Sequence, residues 1–260
     1  MRALAALVLV GCGSVAPFPR VGDTESHASP AAHGGSGTLS VVLFTSNTHG
    51  ADEGVASLVQ RIGAEKDPSC VERSISTCTL VPSCEPKSTT AVRPAFDGAV
   101  AVHDTLGRTR VELRGEESKH GLVPWAPGES VSVTGMGRFD IIVAFPRTHV
   151  LTPNDRPLDV ASGSALDVTW ETSDPGTVDV VLIGHRDRPA DTNAVATCRF
   201  DASALRGHVP IEVLTELRGA DGATGWFQIT HGQRASQKQG EQELIVDAIE
   251  IARDGVLRLH

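Results

Sequence analysis

The sequence predicts an all-β protein of two β-sandwich domains in tandem, with at most one or two short helices, and three observations predict it. Runs of about four to eight apolar and β-branched residues recur between Gly, Pro, Asn and Asp clusters. Strict alternation, as in Val111-Glu112-Leu113-Arg114 and Leu166-Asp167-Val168-Thr169-Trp170, marks strands with one dry and one wet face. Helical periodicity is scarce along the 260 residues. Each half-dry sheet needs a second layer, so the pattern implies packed sheets.

In the first half the patterning predicts strands over 39–45, 55–62, 77–83, 99–104, 109–114, 130–134 and 141–145. The 55–62 run also fits a short helix, since Val55, Leu58, Val59 and Ile62 follow a spacing of three and four. Residues 149–159 (HVLTPNDRPLD) carry two prolines and few apolar side chains, which suits an interdomain connection. Beyond it, 166–170 and 178–183 flank the turn Ser173-Asp174-Pro175-Gly176 and read as a hairpin. Trp170 falls on the inner face of its strand and is expected in the core. Ala196, Cys198 and Phe200 mark a third strand. Val209, Val213, Leu214 and Leu217 have helical spacing, with Pro210 near a first-turn position where a missing N–H costs nothing. Strands over 225–230 and 243–252 continue the sheet, and Asp254-Gly255 reads as a tight turn returning the chain through 256–259. The expected organisation is 38–150 for the first domain and 156–260 for the second.

The formal charge is −9, from 23 Lys and Arg against 32 Asp and Glu, and the chain has no basic cluster. Binding a phosphate backbone depends on clustered cations that release counterions, so nucleic acid is not an expected partner. Aromatic residues are 4% of the chain, with three Trp and no Tyr, which leaves little material for stacking platforms.

Met1–Arg2 and the apolar stretch Ala3 to Val10, ending in Gly11-Cys12, have the order of a secretory signal. The stretch is far shorter than the ~20 residues a membrane-spanning helix needs. Leu9-Val10-Gly11-Cys12 resembles the lipobox of bacterial lipoproteins. That resemblance implies cleavage after residue 11, a diacylglycerol on Cys12, and, with Gly13 following, the outer membrane at its periplasmic or surface face. Residues 12–37 are rich in Gly, Ser, Ala and Pro, so they read as a lipidated Cys on an unfolded tether with a root-mean-square span of ~25–30 Å. His27 and His33 lie in it without companion ligands and read as solvated.

Apart from Cys12, the chain has Cys70, Cys78, Cys84 and Cys198, an even set that suits disulfides in an oxidising compartment. On one extended strand Cys78 and Cys84 would lie ~20 Å apart, whereas a disulfide holds its α-carbons within ~7 Å, so those two should not pair. Cys70 can fold back to one of them, with Cys84 favoured; Cys198 is either a buried thiol or the partner of the remaining cysteine. No C-x-x-C or H-x-x-x-H pair supports zinc.

LDVTWETSDPGTVDVVLIG, ATCRFDAS and HVPIEVLTEL in 156–260 resemble the Ig-like β-sandwich domains of uncharacterised bacterial lipoproteins, and STCTLVPSC with SVSVTG resembles their companion domain more loosely. The resemblance implies two Ig-like or Greek-key sandwiches. It transfers no catalytic residue.

The chain contains no G-x-S-x-G elbow, H-E-x-x-H, phosphate loop or dinucleotide fingerprint. Asp187, Asp191 and Asn193 in the segment GHRDRPADTN offer oxygens of the kind Ca²⁺ takes, but without the order of a calcium loop they read first as a solvated connection. His49, Asp52 and Glu53 form a second polar cluster with the same reading. His103 and Asp104 adjoin, yet successive strand residues face opposite ways, so they should not act together. No metal and no cofactor is expected. The expected function is noncatalytic: a cell-envelope protein held by the lipid on Cys12, serving as a binding or structural module for another envelope protein, a peptide or a wall component. The alternative is an envelope hydrolase with its site between the two domains.

Overall fold

The computed structural model of the protein describes residues 37–46, 53–61, 72–82, 98–115, 117–135, 137–154, 157–185, 194–219 and 222–260. In chain order the strands are β1 Gly37–Ser46, β2 Glu53–Arg61, β3 Arg73–Ile75, β4 Cys78–Pro82, β5 Ala99–His103, β6 Thr109–Arg114, β7 Glu117–Leu122, β8 Ser130–Gly135 and β9 Phe139–Ala144. They continue as β10 His149–Thr152, β11 Leu158–Val160, β12 Leu166–Glu171, β13 Thr177–His185, β14 Ala194–Asp201, β15 Arg206–Val209, β16 Ala223–Gln239 and β17 Gln242–Leu259. A single α-helix among the described residues, α1, spans Ile211–Arg218. The fold is all-β, as its alternation predicts.

Three sheets form two sandwiches. One sheet of ten strands runs β3-β4-β14-β13-β16-β17-β1-β2-β7, with β11 attached to β17. A four-stranded sheet, β6-β5-β8-β9, and a three-stranded sheet, β10-β12-β15, complete the layers. The long hairpin β16–β17 belongs to both sandwiches. Its tip half supplies Leu244, Val246 and Ala248 to a core with Leu39, Val41, Leu43, Val100, Leu113, Val133 and Phe145. Its base half supplies Phe227, Ile229 and Leu257 to a core with Leu80, Val168, Trp170, Val180, Ala196 and Leu217. Each core therefore draws residues from both sides of the proline-rich connection.

Several local expectations change. The 55–62 run is strand β2, hydrogen-bonded to β1 on one edge and β7 on the other. β12 and β13 are not a hairpin: β12 pairs with β10 and β15, and β13 with β14 and β16. The connection carries the chain from one layer to the other, so that Trp170 and Val178 enter the same core from opposite sides. Asp254-Gly255 is not a turn either; β17 runs straight through it, paired to β16 as far as Leu259. Gly255 stands opposite Phe227, and a β-carbon there would lie 2.9 Å from the Phe227 ring, so the glycine makes room for an aromatic neighbour. The hairpin turns at Gly240 instead, where φ is +63°.

α1 follows the sequence reading. Pro210 stands at its N-cap and Val213, Leu214 and Leu217 are buried. Trp170 is 1% exposed, and its Nε1–H donates to the Ala202 carbonyl at 2.8 Å, which satisfies the one polar atom of a core indole.

Candidate functional site

The outward face of the ten-stranded sheet carries a continuous apolar row. β-Strand alternation places Val180 and Leu182 of β13 in the core and turns Val181 and Ile183 outward. Register then aligns Val81, Val195, Ile183, Trp226 and Val256 in one row across β4, β14, β13, β16 and β17. The first four are half-buried and Val256 is exposed. The next row along the strands is Thr79, Thr197, Val181, Gln228 and Asp254, of which Thr197, Val181 and Gln228 are buried under their neighbours. Apolar side chains directly opposite one another across strands support the sheet, and a row that stays partly open offers the same area to a partner.

Two ion pairs cross the middle of this face. Arg199 Nε and Nη2 donate to the two Asp179 oxygens at 2.8 and 2.7 Å, and Arg234 Nε and Nη2 donate to Asp247 at 2.6 and 3.0 Å. Hydrogen bonds to Asp247 hold the Arg234 guanidinium above its ordinary pKa. Both pairs have the bidentate fork geometry that makes Arg–carboxylate contacts specific. Asp179→Ala leaves a largely buried guanidinium without its carboxylate. The expected loss is about 1.5–3 kcal/mol, read as a lower urea midpoint at unchanged slope.

The inward face carries a polar row at the waist, where the two cores meet. Val178, His231, Glu250, Thr45 and Gly54 lie in register across β13, β16, β17, β1 and β2. His231 is 0% exposed and Glu250 6%. Thr148, on the chain between the two smaller sheets, places Oγ1 2.6 Å from His231 Nδ1, and His231 Nε2–H donates to the Pro175 carbonyl at 3.1 Å. Thr148 also lies beside Glu250 and favours its charged form, while Glu250 Oε2 has no hydrogen-bond partner among the described residues. Burial pushes the Glu250 carboxyl up to about 7, against the effect of Thr148 and with help from the Asp174 charge. Burial also holds the His231 imidazole below its ordinary value. The connection itself is tied down: Arg147 N–H donates to Asp174 Oδ2 at 2.7 Å and Thr172 Oγ1 donates to the Arg147 carbonyl at 2.7 Å.

Of the residues singled out from sequence, Cys78 and Cys198 are joined as a disulfide between β4 and β14. Cys12, Cys70, Cys84, Asp187, Asp191 and Asn193 lie outside the described residues, as do His27, His33, His49 and Asp52. Glu53 Oε1 accepts from Gly121 N–H at 2.9 Å. His103 and Asp104 do separate. His103 contacts Thr134 and Thr109 at 2.9 and 3.2 Å, while Asp104 accepts from the Leu106 and Arg108 main chain at 2.9 Å and from the Arg108 side chain at 2.7 Å. The Arg108 N–H in particular holds the Asp104 carboxyl below its usual range. Among the described residues no three His, Cys, Asp or Glu side chains converge as a metal cage. The Trp226 row and the waist were both missed. The outward row had a signal: Val180-Val181-Leu182-Ile183 and Trp226-Phe227 are apolar on both faces of a strand, so one face had to meet something other than the core.

Compared with protein-family models, with curated protein sequences and with solved structures, the chain matches none.

Proposed function

We propose that the chain is a noncatalytic, lipid-anchored module of a bacterial cell envelope, held by Cys12 at the outer membrane, that binds another envelope protein through the outward face of its large sheet. The observation that carries this reading is the half-open row Val81-Val195-Ile183-Trp226-Val256. A Trp amid half-open aliphatic groups is the composition of a binding hot spot. A protein fits this face better than a glycan, which stacks on several exposed rings: Trp226, half-buried, is the one aromatic side chain in the row. Position supports the reading as well. β1 enters the sheet with Gly37 beside Gln242, at the hairpin tip, whereas Val256 lies toward the hairpin base. At ~3.3 Å per residue the two are about 45 Å apart, so a tether leading to Gly37 would leave the row on the half away from the anchor.

Photo-crosslinking side chains at positions 81 and 256 of the full-length chain, in its native envelope, should both capture the same envelope protein. Trp226→Glu should cut that yield at least tenfold, and position 106, on the β5–β6 turn, should capture none of it. The same adduct in equal yield from position 106, or capture unaffected by Trp226→Glu, would overturn the assignment of this face. The anchor is tested separately by intact mass: protein from native membranes should begin at Cys12 with a lipid-sized increment, and an unmodified chain would remove the anchor from the proposal.

A further inference from the structure

The waist row sets a proton-placement problem that its geometry solves. His231 Nε2 faces the Pro175 carbonyl, which only accepts, so Nε2 must carry a hydrogen. Thr148 Oγ1 has one hydrogen to give and lies between His231 Nδ1 and the Glu250 carboxyl. Two arrangements satisfy this chain. In the neutral one Glu250 O–H donates to Thr148 Oγ1 and Thr148 O–H donates to the bare Nδ1. In the ionic one imidazolium Nδ1–H donates to Oγ1 and Thr148 O–H donates to the carboxylate. They differ by two concerted proton shifts and no change in total charge or heavy-atom positions.

Burial and the unpartnered Oε2 select the neutral arrangement, because a bare oxygen on a buried carboxylate costs far more than the bare carbonyl oxygen of an acid. The charged groups around the pair come from every neighbouring element. Asp174, on the connection between β12 and β13, and Asp179, on β13, act on His231, and Asp174 acts on Glu250. Arg253 of β17, beyond the bulge, donates to the Pro153 and Val150 carbonyls, and the Arg199–Asp179 and Arg234–Asp247 pairs occupy the other face.

We infer that folding moves one proton from His231 to Glu250, so that the junction of the two sandwiches is insensitive to mildly acidic pH. Near pH 6 the unfolded pair is imidazolium and carboxylate; the folded pair is imidazole and carboxylic acid. Each state holds one proton, so the pair contributes no pH dependence to folding near that pH. Single variants unmask the halves. With Glu250→Gln only His231 remains, and its folded value is the lower one. The unfolded chain then binds more protons, and the unfolding constant relative to wild type should rise as pH falls below 6.5, by up to tenfold per unit. With His231→Gln only Glu250 remains, and its folded value is the higher one. The unfolding constant should then rise with pH from 4.5 to about 7, again by up to tenfold per unit.

The decisive experiment is nitrogen NMR of His231 in the wild-type protein at pH 6, joined to these two pH–stability profiles. One bare nitrogen at Nδ1, one protonated nitrogen at Nε2 and opposite slopes in the two variants are the expected results. Two protonated nitrogens at pH 6, or slopes of the same sign, would overturn the inference, and the NMR measurement decides it even where a variant does not fold.

Discussion

Replacing Cys78 and Cys198 with Ala, or reducing their disulfide, should lower stability by about 2–5 kcal/mol and the melting temperature by roughly 10–15 °C. The bond links positions 120 residues apart, and the entropy a cross-link removes from the unfolded chain grows with that separation, which puts the expected value at the upper end. The loss should also be local. β3 and β4 form a short hairpin on the edge of the large sheet, and among the described residues β4 joins the rest of the sheet through its ladder with β14. Cys78 and Cys198 sit directly opposite each other at one end of that ladder, 1% and 0% exposed. Without the bond, the hairpin is held by a few ladder bonds, by Leu80 and Ile75 on the core and by the exposed Arg73–Glu216 ion pair to α1. Amide exchange over 73–82 should accelerate before the rest of the sheet responds, and the β14 edge should become available. Denaturant titration with and without reductant, together with amide exchange, measures both parts. Equal acceleration in β1 and β4 would show that the bond acts on global stability alone.

Strand existence was written in the alternation, and strand partnership was not. Thr109–Arg114, Ser130–Gly135 and Leu166–Glu171 carry apolar side chains at every second position, and each became a strand within a residue or so of its pattern. Periodicity is a local property, so it cannot say that β4 pairs with β14 or that β1 lies parallel to β17. The long hairpin was hidden for a related reason. Its tip segment, Gln233-Arg234-Ala235-Ser236-Gln237-Lys238-Gln239, is polar and has no strand signal of its own; it is extended because β17 supplies a continuous ladder and because Ala235 packs on the core. The waist was hidden because its members come from Thr45, Thr148, Pro175, His231 and Glu250, which only the fold brings together. Of the cysteine alternatives, it was the reach of Cys198 to Cys78 that the fold realised.

The largest cost from a single methyl group is expected at Gly225. Gly225 of β16 stands opposite Gly184 of β13, and a β-carbon at 225 would lie 1.7 Å from the Ile183 carbonyl oxygen, 2.8 Å from its carbon and 3.2 Å from the Gly184 α-carbon. All three atoms are backbone, so no rotamer change relieves the overlap and the β13–β16 ladder must open. The same notch seats α1: a β-carbon at Gly184 would meet the Leu217 carbonyl at 2.8 Å, and Leu217 is 0% exposed. Displacing the strands therefore also lifts the helix from the core. Gly225→Ala should cost at least ~4 kcal/mol, the range reserved for overpacking against rigid structure. Two companions separate close approach from backbone strain. Gly255→Ala meets only the Phe227 ring at 2.9 Å, a side chain that can turn, and should cost less. Gly240→Ala has nothing within 4 Å, so it bears only its φ of +63°, about 1–2 kcal/mol. Urea midpoints should fall in the order 240, 255, 225. If Gly225→Ala proved no more damaging than Gly240→Ala, the two strands would be able to separate at that point without loss, and the glycine pair would not be what lets α1 and β16 share one core.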